Sequence, residues 1–166
     1  MTKQALFAGG CFWGMEELFR DLHEGIIDTE TGYTGGMNDN PTYEQHPGHA
    51  EALLVTYEDT KISYRELLDL FFRVHNPTTL NQQGNDRGTA YRSAIFYQNE
   101  EERTEAAAFI ELVNESGRWE NPVITTLEQF TRFWPAEDYH QDYLQKNPQG
   151  YTCHAIRFES YISEIK

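Results

Sequence analysis

Cysteine is scarce in this sequence. Among 166 residues only Cys11 and Cys153 carry thiols, too few for a disulfide-built scaffold. Most of the chain separates them, so there is no Cys-x-x-Cys pair of the zinc or thioredoxin type. Two lone thiols can both be inert; if one reacts, the other is the group available to resolve it. Basic residues are also few. Thirteen Lys and Arg stand against 27 Asp and Glu, a formal net charge of −14. A field of that sign repels phosphate backbones, which argues against nucleic-acid binding, and its plain consequence is solubility. No apolar run approaches the roughly 18 residues of a membrane helix. Small residues precede Cys11 as in a lipoprotein signal, but the apolar stretch is only Ala5 to Ala8, shorter than the ~7–15 residues of a signal core. A cytoplasmic protein is expected, with a monomer as the default.

Repeats, low-complexity tracts and linkers are missing too. Aromatics make up 14% of the chain, which excludes a disordered polymer, and the length suits one domain with a substantial core. We expect a single domain over 1–166, with a less regular tail from about 147. Lys3 to Ala8 fits a buried strand, broken by Gly9-Gly10. A helix fits from Phe12 to about His23, with Met15, Leu18, Phe19 and Leu22 on one face. Ile26 to Tyr33 reads as a strand, the Gly-, Asn- and Pro-rich segment 35–49 as a loop, and Ala50 to Tyr57 as a strand presenting Glu51, Leu53, Val55 and Tyr57 on one side. Ser63-x-x-Glu66 is a capping box opening a helix that Asn76-Pro77 ends. A long loop spans 77–91, a strand Ser93 to Tyr97, and a helix starts at Asn99. Val123 to Phe133 looks extended, and Asp138 to Lys146 suits a short helix. The order β-α-β-β-α-β predicts an α+β fold, a ferredoxin-like split βαβ plait with extra C-terminal elements. Consecutive strands from Ile26 to Tyr57 argue against the doubly wound alternative.

Cys11 follows two glycines and precedes a helix. Unpaired amides and the positive end of the helix dipole favour an anion there, so the spacing predicts a thiol lowered from its free value of about 8.5. The competing reading is a small buried residue at a strand end. Phe12 and Trp13 could wall a pocket for a thioether or its oxide, or serve the core. Glu51 opens its strand on the face shared with Leu53 and Val55, where desolvation would keep its acid protonated; the competing reading is an ordinary exposed strand-end glutamate.

Gly10-Cys11-Phe12-Trp13-Gly14 resembles the signature of the peptide methionine sulfoxide reductase A family. Four further segments agree in order and spacing: Asn40-Pro41-Thr42-Tyr43, Gly48-His49-Ala50-Glu51, the stretch from Gln83-Gly84-Asn85-Asp86 to Tyr91-Arg92-Ser93, and His140-Gln141-x-Tyr143-Leu144. The likeness extends from Phe7 to Cys153. It implies that Cys11 attacks the sulfur of methionine sulfoxide, free or in oxidised proteins and of the S epimer, and becomes a sulfenic acid. It further implies Glu51 as proton donor, Tyr43 and Tyr91 on the sulfoxide oxygen, and Phe12, Trp13 and Asp86 as substrate contacts. Cys153 would resolve the sulfenic acid as a disulfide. By that resemblance, family members usually carry this cysteine directly after Gly-Tyr, whereas Thr152 intervenes here. No cofactor is expected; thioredoxin or dithiothreitol would reopen the disulfide.

Three rivals remain at this level. A redox sensor or a thiol peroxidase would use the same two thiols. His46, His49 and Glu51 form His-x-x-His-x-Glu, but a loop and strand do not reproduce helical His-Glu-x-x-His geometry, so no metal site is expected.

Overall fold

A computed structural model describes residues 1–20, 22–152 and 154–162. Cys153, expected to carry the second thiol chemistry, therefore lies outside the described residues. Strands β1 (Thr2–Gly9), β2 (Ile26–Thr34), β3 (Ala50–Glu58), β6 (Ser93–Tyr97), β7 (Thr126–Gln129) and β8 (Phe133–Pro135) build one sheet in the order β7-β6-β1-β3-β2-β8. The remaining two, β4 (Gln82–Gln83) and β5 (Asp86–Arg87), form a small separate hairpin. Helices α1 (Phe12–Arg20), α2 (Tyr64–Val74), α3 (Glu100–Glu115) and α4 (Tyr143–Lys146) complete a mixed α+β fold. Every neighbouring pair in the large sheet is antiparallel except β6 with β7.

Central position makes β1 apolar on both faces. Ala5 and Phe7 point into the larger core, where Phe7 stacks on Phe19, Tyr64 and Phe71 at ring distances of 6.2, 6.2 and 5.1 Å. Leu6 and Ala8 face a second core with Ala50, Ala52, Leu54, Ala94 and Phe96, covered by Phe130 and Phe133. That second core forms because the sheet curls. Gln129 and Phe133 lie on opposite edges of the six strands yet are four residues apart, at most about 14 Å of extended chain. A flat sheet with these strands would hold its edges roughly 24 Å apart. The stretch expected to be extended from Val123 to Phe133 is thus two short strands joined around the curl, with Phe130 N–H bonded to the Tyr97 carbonyl at 2.8 Å.

Capping explains where α2 and α3 start. Ser63 and Glu66 exchange hydrogen bonds of 3.1 Å each at the head of α2, and the Asn99 side chain accepts from Glu102 N–H at 2.8 Å at the head of α3. The described part of α1 ends at Arg20, short of the expected His23. The reason is local: Leu22 N–H steps back only to the Phe19 carbonyl, and the His23 ring accepts Gly25 N–H at 2.8 Å, committing that residue to the turn. The loop expected over 77–91 holds the β4–β5 hairpin, whose two-residue turn opens on Gly84 at φ 58°, as such turns favour. The helix expected over Asp138 to Lys146 is split. A 3-10 turn covers Asp138–His140, Asp142 takes φ 53°, and α4 follows. Among the described residues beyond 147 there is no helix or strand, yet this tail is docked: Tyr161 is buried, and its N–H bonds to Asp69 Oδ1 at 2.7 Å. No helix among the described residues is long and apolar enough to cross a membrane.

Candidate active site

The end of β1 and the start of α1 set the position of Cys11. Gly10 turns the chain at φ 98°, and the Cys11 carbonyl then accepts Met15 N–H at 3.3 Å, the first bond of the helix. Gly10 also makes room: a Cβ there would lie 2.6 Å from the Gln83 side chain. Gln83 in turn holds both backbone groups of Asn76, at 2.8 and 2.9 Å, tying the segment that bears Asp86 to the end of α2. The helix start does what was expected of it, since Trp13 and Gly14 N–H groups favour the Cys11 anion. Burial outweighs them. The residue is only 7% exposed, and burial, reinforced by Glu51 and Asp86, pushes the thiol up to about 12. The expectation of a lowered thiol pKa is therefore corrected: the resting group is a thiol, because desolvating an anion costs more than two amides return.

Glu51, the second residue of β3, is 1% exposed and among the described residues takes one bond, from Phe12 N–H to Oε1 at 3.2 Å. Burial raises its carboxyl to about 8, with the Phe12 amide pulling down and Asp86 pushing up. At neutral pH it is an uncharged acid. Tyr43 and Tyr91 both lie close to this cluster: burial raises both, and Glu51, Cys11 and Asp86 act on each in the same direction. Asp86 is half-buried, and burial raises it too. Cys11, Glu51, Tyr43, Tyr91 and Asp86 are thus close enough to perturb one another, although they come from four separate chain segments.

Phe12 and Trp13 divide between the two roles considered for them. Phe12 is fully buried, with its ring 5.6 Å from Tyr33 and 5.1 Å from His140. Trp13 is half-buried, stacked on Tyr143 at 3.7 Å and 9° and lying 6.5 Å from Tyr43. Its indole N–H donates to His140 Nδ1 at 2.9 Å. A ring whose Nδ1 accepts carries its proton on Nε2. The result is an aromatic wall beside the acid and the thiol, suited to a small alkyl sulfur group. The candidate metal triad does not assemble. His49 spends both ring nitrogens on backbone, at Gly36 N–H (3.1 Å) and the Asn38 carbonyl (2.8 Å), while Glu51 faces Phe12.

The peptide methionine sulfoxide reductase family model matches residues 3–164. The chain belongs to this family. A Mycobacterium sp. (strain MCS) protein named peptide methionine sulfoxide reductase MsrA is 53% identical over 155 residues, covering 93% of this chain and 90% of that one. Among solved structures, reduced Mxr1 from Saccharomyces cerevisiae is similar with TM-score 0.89 and 39% identity, covering 95% and 93% of the two chains. Mxr1 in complex with Trx2 is similar with TM-score 0.66 and 29% identity, over 95% of this chain and 91% of that one.

Family membership does not by itself reveal which further side chains hold this site together. Sequence reasoning missed Glu137, Tyr33 and the specific part of His140. Glu137 accepts the Tyr33 hydroxyl at 2.9 Å and Tyr43 N–H at 3.0 Å, so it pins the loop that carries Tyr43. Burial opposes its ionisation, but these donors and nearby His140 bring its carboxyl below the ordinary value. His140 lay within a recognised motif, which was a usable signal. Glu137 had none, since its partners lie about a hundred positions upstream.

Proposed function

We propose that this chain reduces methionine sulfoxide, free or within oxidised proteins, to methionine, with Cys11 as nucleophile and Glu51 as proton donor. The observation that carries this reading is the buried carboxyl of Glu51, raised by that burial, beside the buried thiol of Cys11. Sulfoxide oxygen is a poor leaving group until it is protonated, and an uncharged carboxylic acid next to two tyrosine hydroxyls is built to bind and protonate it. Protonation makes the sulfoxide sulfur electrophilic. Cys11 Sγ then attacks as its own proton leaves, which is how a thiol with a raised pKa can act without resting as a thiolate. The balance is one sulfoxide and one thiol giving one thioether and one sulfenic acid on Cys11. Phe12, Trp13 and Asp86 complete the substrate pocket, and the S epimer is the one the family resemblance implies.

Cys153 then resolves the sulfenic acid, and a thioredoxin dithiol reduces the resulting disulfide by exchange; the structure of Mxr1 with Trx2 supports that partner. No step requires a resident cofactor or metal. We read the protein as one catalytic domain acting as a cytoplasmic monomer. We read its strands β6-β1-β3-β2 as a ferredoxin-like plait, because α1 joins β1 to β2, the connection through α2 joins β3 to β6, and the two units interleave. The deciding experiment follows turnover of free and peptide-bound methionine sulfoxide with dithiothreitol. Wild type forms methionine and Cys11→Ser forms none; equal turnover by the two proteins would end the proposal.

A further inference from the structure

At the other end of β1 from Cys11, strands β1 and β3 and the heads of α2 and α3 line a second cleft of about 430 Å³. Lys3, in its wall, and Gly9, at the Cys11 end of the strand, are roughly 20 Å apart by strand geometry. All eleven residues that line the cleft carry polar side chains, so its occupant must be a hydrogen-bonding one. The rings of Tyr57 and Tyr64 belong to the core and are only 2% and 8% exposed. Neither hydroxyl has a hydrogen-bond partner among the described residues, although buried tyrosine hydroxyls ordinarily find one. Glu102 and Glu105 bear on both hydroxyls, which places the two phenols beside these carboxyls in the cleft. Glu102 accepts Gln98 N–H on Oε1 at 3.0 Å, and its Oε2 takes no hydrogen bond among the described residues. Lys3, the cation in this lining, is drawn toward Asp59, with Nζ 3.4 Å from Oδ2. The positive end of the α3 dipole accounts for Glu101 and Glu102 in the first turn. It does not account for Glu105 in the second turn, nor for two phenols that end beside carboxyls without a bond.

We propose that this cleft binds a small aliphatic polyamine, with Glu101, Glu102 and Glu105 holding its ammonium groups and the hydroxyls of Tyr57 and Tyr64 accepting from them. An ammonium group has hydrogen-bond donors and no acceptor, the complement of carboxylates and phenol oxygens. Three carboxyls line the cleft with one lysine, which Asp59 already shares, so the surplus suits a ligand with at least two positive charges. A metal ion fits less well: among the described residues no group of three His, Cys, Asp or Glu is placed to hold one. An anion would meet like charge, and an apolar ligand would leave the polar lining unpaired. The volume lies within the range of small-molecule sites. A ligand bound here touches none of the reacting groups. It acts by mass action, stabilising the folded chain to which alone it binds, and it is independent of the sulfoxide chemistry at the other end of β1.

Calorimetric titration of the full chain with spermidine tests this, in about 0.15 M salt so that diffuse attraction is screened. Spermidine is expected to bind once per chain with a Kd below about 1 mM and to raise Tm. Tyr57→Phe and Tyr64→Phe, each losing only a hydroxyl, should weaken binding roughly five-fold. Glu101→Gln combined with Glu105→Gln should weaken it roughly ten-fold or more, the scale of lost charged hydrogen bonds. Glu111→Gln combined with Glu115→Gln removes the same charge from exposed positions of α3 outside the cleft and should leave Kd within two-fold. Turnover of methionine sulfoxide with dithiothreitol should match wild type in every variant, which shows that each is folded. Equal weakening by the two glutamate pairs would mean attraction to the chain's net charge of −14 alone, and that result overturns the inference. Absence of saturable binding overturns it, as does unchanged affinity in both phenylalanine variants. Magnesium binding more tightly than spermidine would make the cleft a metal site, and a lysine-containing peptide binding more tightly would make it a protein contact; either result overturns the polyamine assignment.

Discussion

Two glutamates are buried against α1, and they are held in opposite ways. Glu16, on the flank of the helix, accepts Asp142 N–H at 2.7 Å and the Thr29 hydroxyl at 2.9 Å, with the Arg20 guanidinium 3.9 Å away. Glu51, at the head of the same helix, has one amide at 3.2 Å, and Asp86 beside it works against its ionisation. Burial raises both carboxyls. The difference lies in compensation. Glu16 is given donors and a cation, so it joins α1 to β2 and to the start of α4. Glu51 is left with little that favours its charge, so it keeps its proton. A buried carboxyl of the first kind serves packing, and one of the second kind is an acid in waiting.

Replacing each by glutamine sharpens the contrast. Glu51→Gln should lower kcat with dithiothreitol at least a hundred-fold, the scale of losing a general acid. Its effect on stability has the other sign. Between the ordinary carboxyl value of 4.5 and about 8, the folded protein holds a proton on Glu51 that the unfolded chain has lost, so stability falls as pH rises through that window. The glutamine variant escapes this. It should match wild type near pH 4, exceed it at pH 7, and hold a constant advantage above about pH 8, read from urea titrations. Activity follows the same group: wild-type reduction should decline above about pH 8, because ionised Glu51 can no longer donate and its charge holds the Cys11 proton more tightly. A rate that climbs steadily from pH 7 to 10 would instead mean that a thiolate limits the reaction, and the comparison would break.

Glu16→Gln should do the reverse. The shape is preserved, but one of the two oxygens that accept Asp142 N–H and the Thr29 hydroxyl becomes a donor facing a donor, at about 1–3 kcal/mol. Methionine formation should stay within two-fold of wild type. A loss of activity out of proportion to the loss of stability would place Glu16 in the site and erase the distinction.

That distinction was only partly legible in the sequence. Periodicity and capping residues located α2, α3 and the inner strands, since those signals are local. Edge strands β7 and β8 were not separable, because the curl that divides them is a long-range event. Cys11, Glu51, Tyr43, Tyr91 and Asp86 were identified through their motifs, and the structure brings them together. The state of the thiol was misjudged, because helix position can be read from neighbouring residues while burial depends on segments from elsewhere in the fold. The same holds for Glu16, a glutamate in an amphipathic helix until Thr29 and Asp142 arrive beside it. Glu137 was invisible for a related reason. It reaches Tyr33 only because β8 pairs with β2, opposing Tyr33 to Trp134 and bonding Ala136 N–H to the Thr31 carbonyl at 2.9 Å.

Glu137 supplies the smallest and most specific prediction. It touches neither Cys11 nor Glu51, but its two oxygens take the Tyr33 hydroxyl and the Tyr43 amide, so it fixes where the Tyr43 hydroxyl stands. In Glu137→Gln one of those acceptors becomes a donor facing another donor. The loss of a single net hydrogen bond, about 1 kcal/mol, should loosen the Tyr43 loop rather than unfold it. We expect KM for peptide methionine sulfoxide to rise roughly five-fold, as that energy implies, while kcat changes less. Tyr33→Phe removes only one of the two bonds, leaves the carboxylate on the Tyr43 amide, and should raise KM less than Glu137→Gln does. If the two variants instead depress kcat equally with KM unchanged, Glu137 acts on the chemistry through Glu51. The acid would then have a long-range partner, and the sparse surroundings that separate Glu51 from Glu16 would need another explanation.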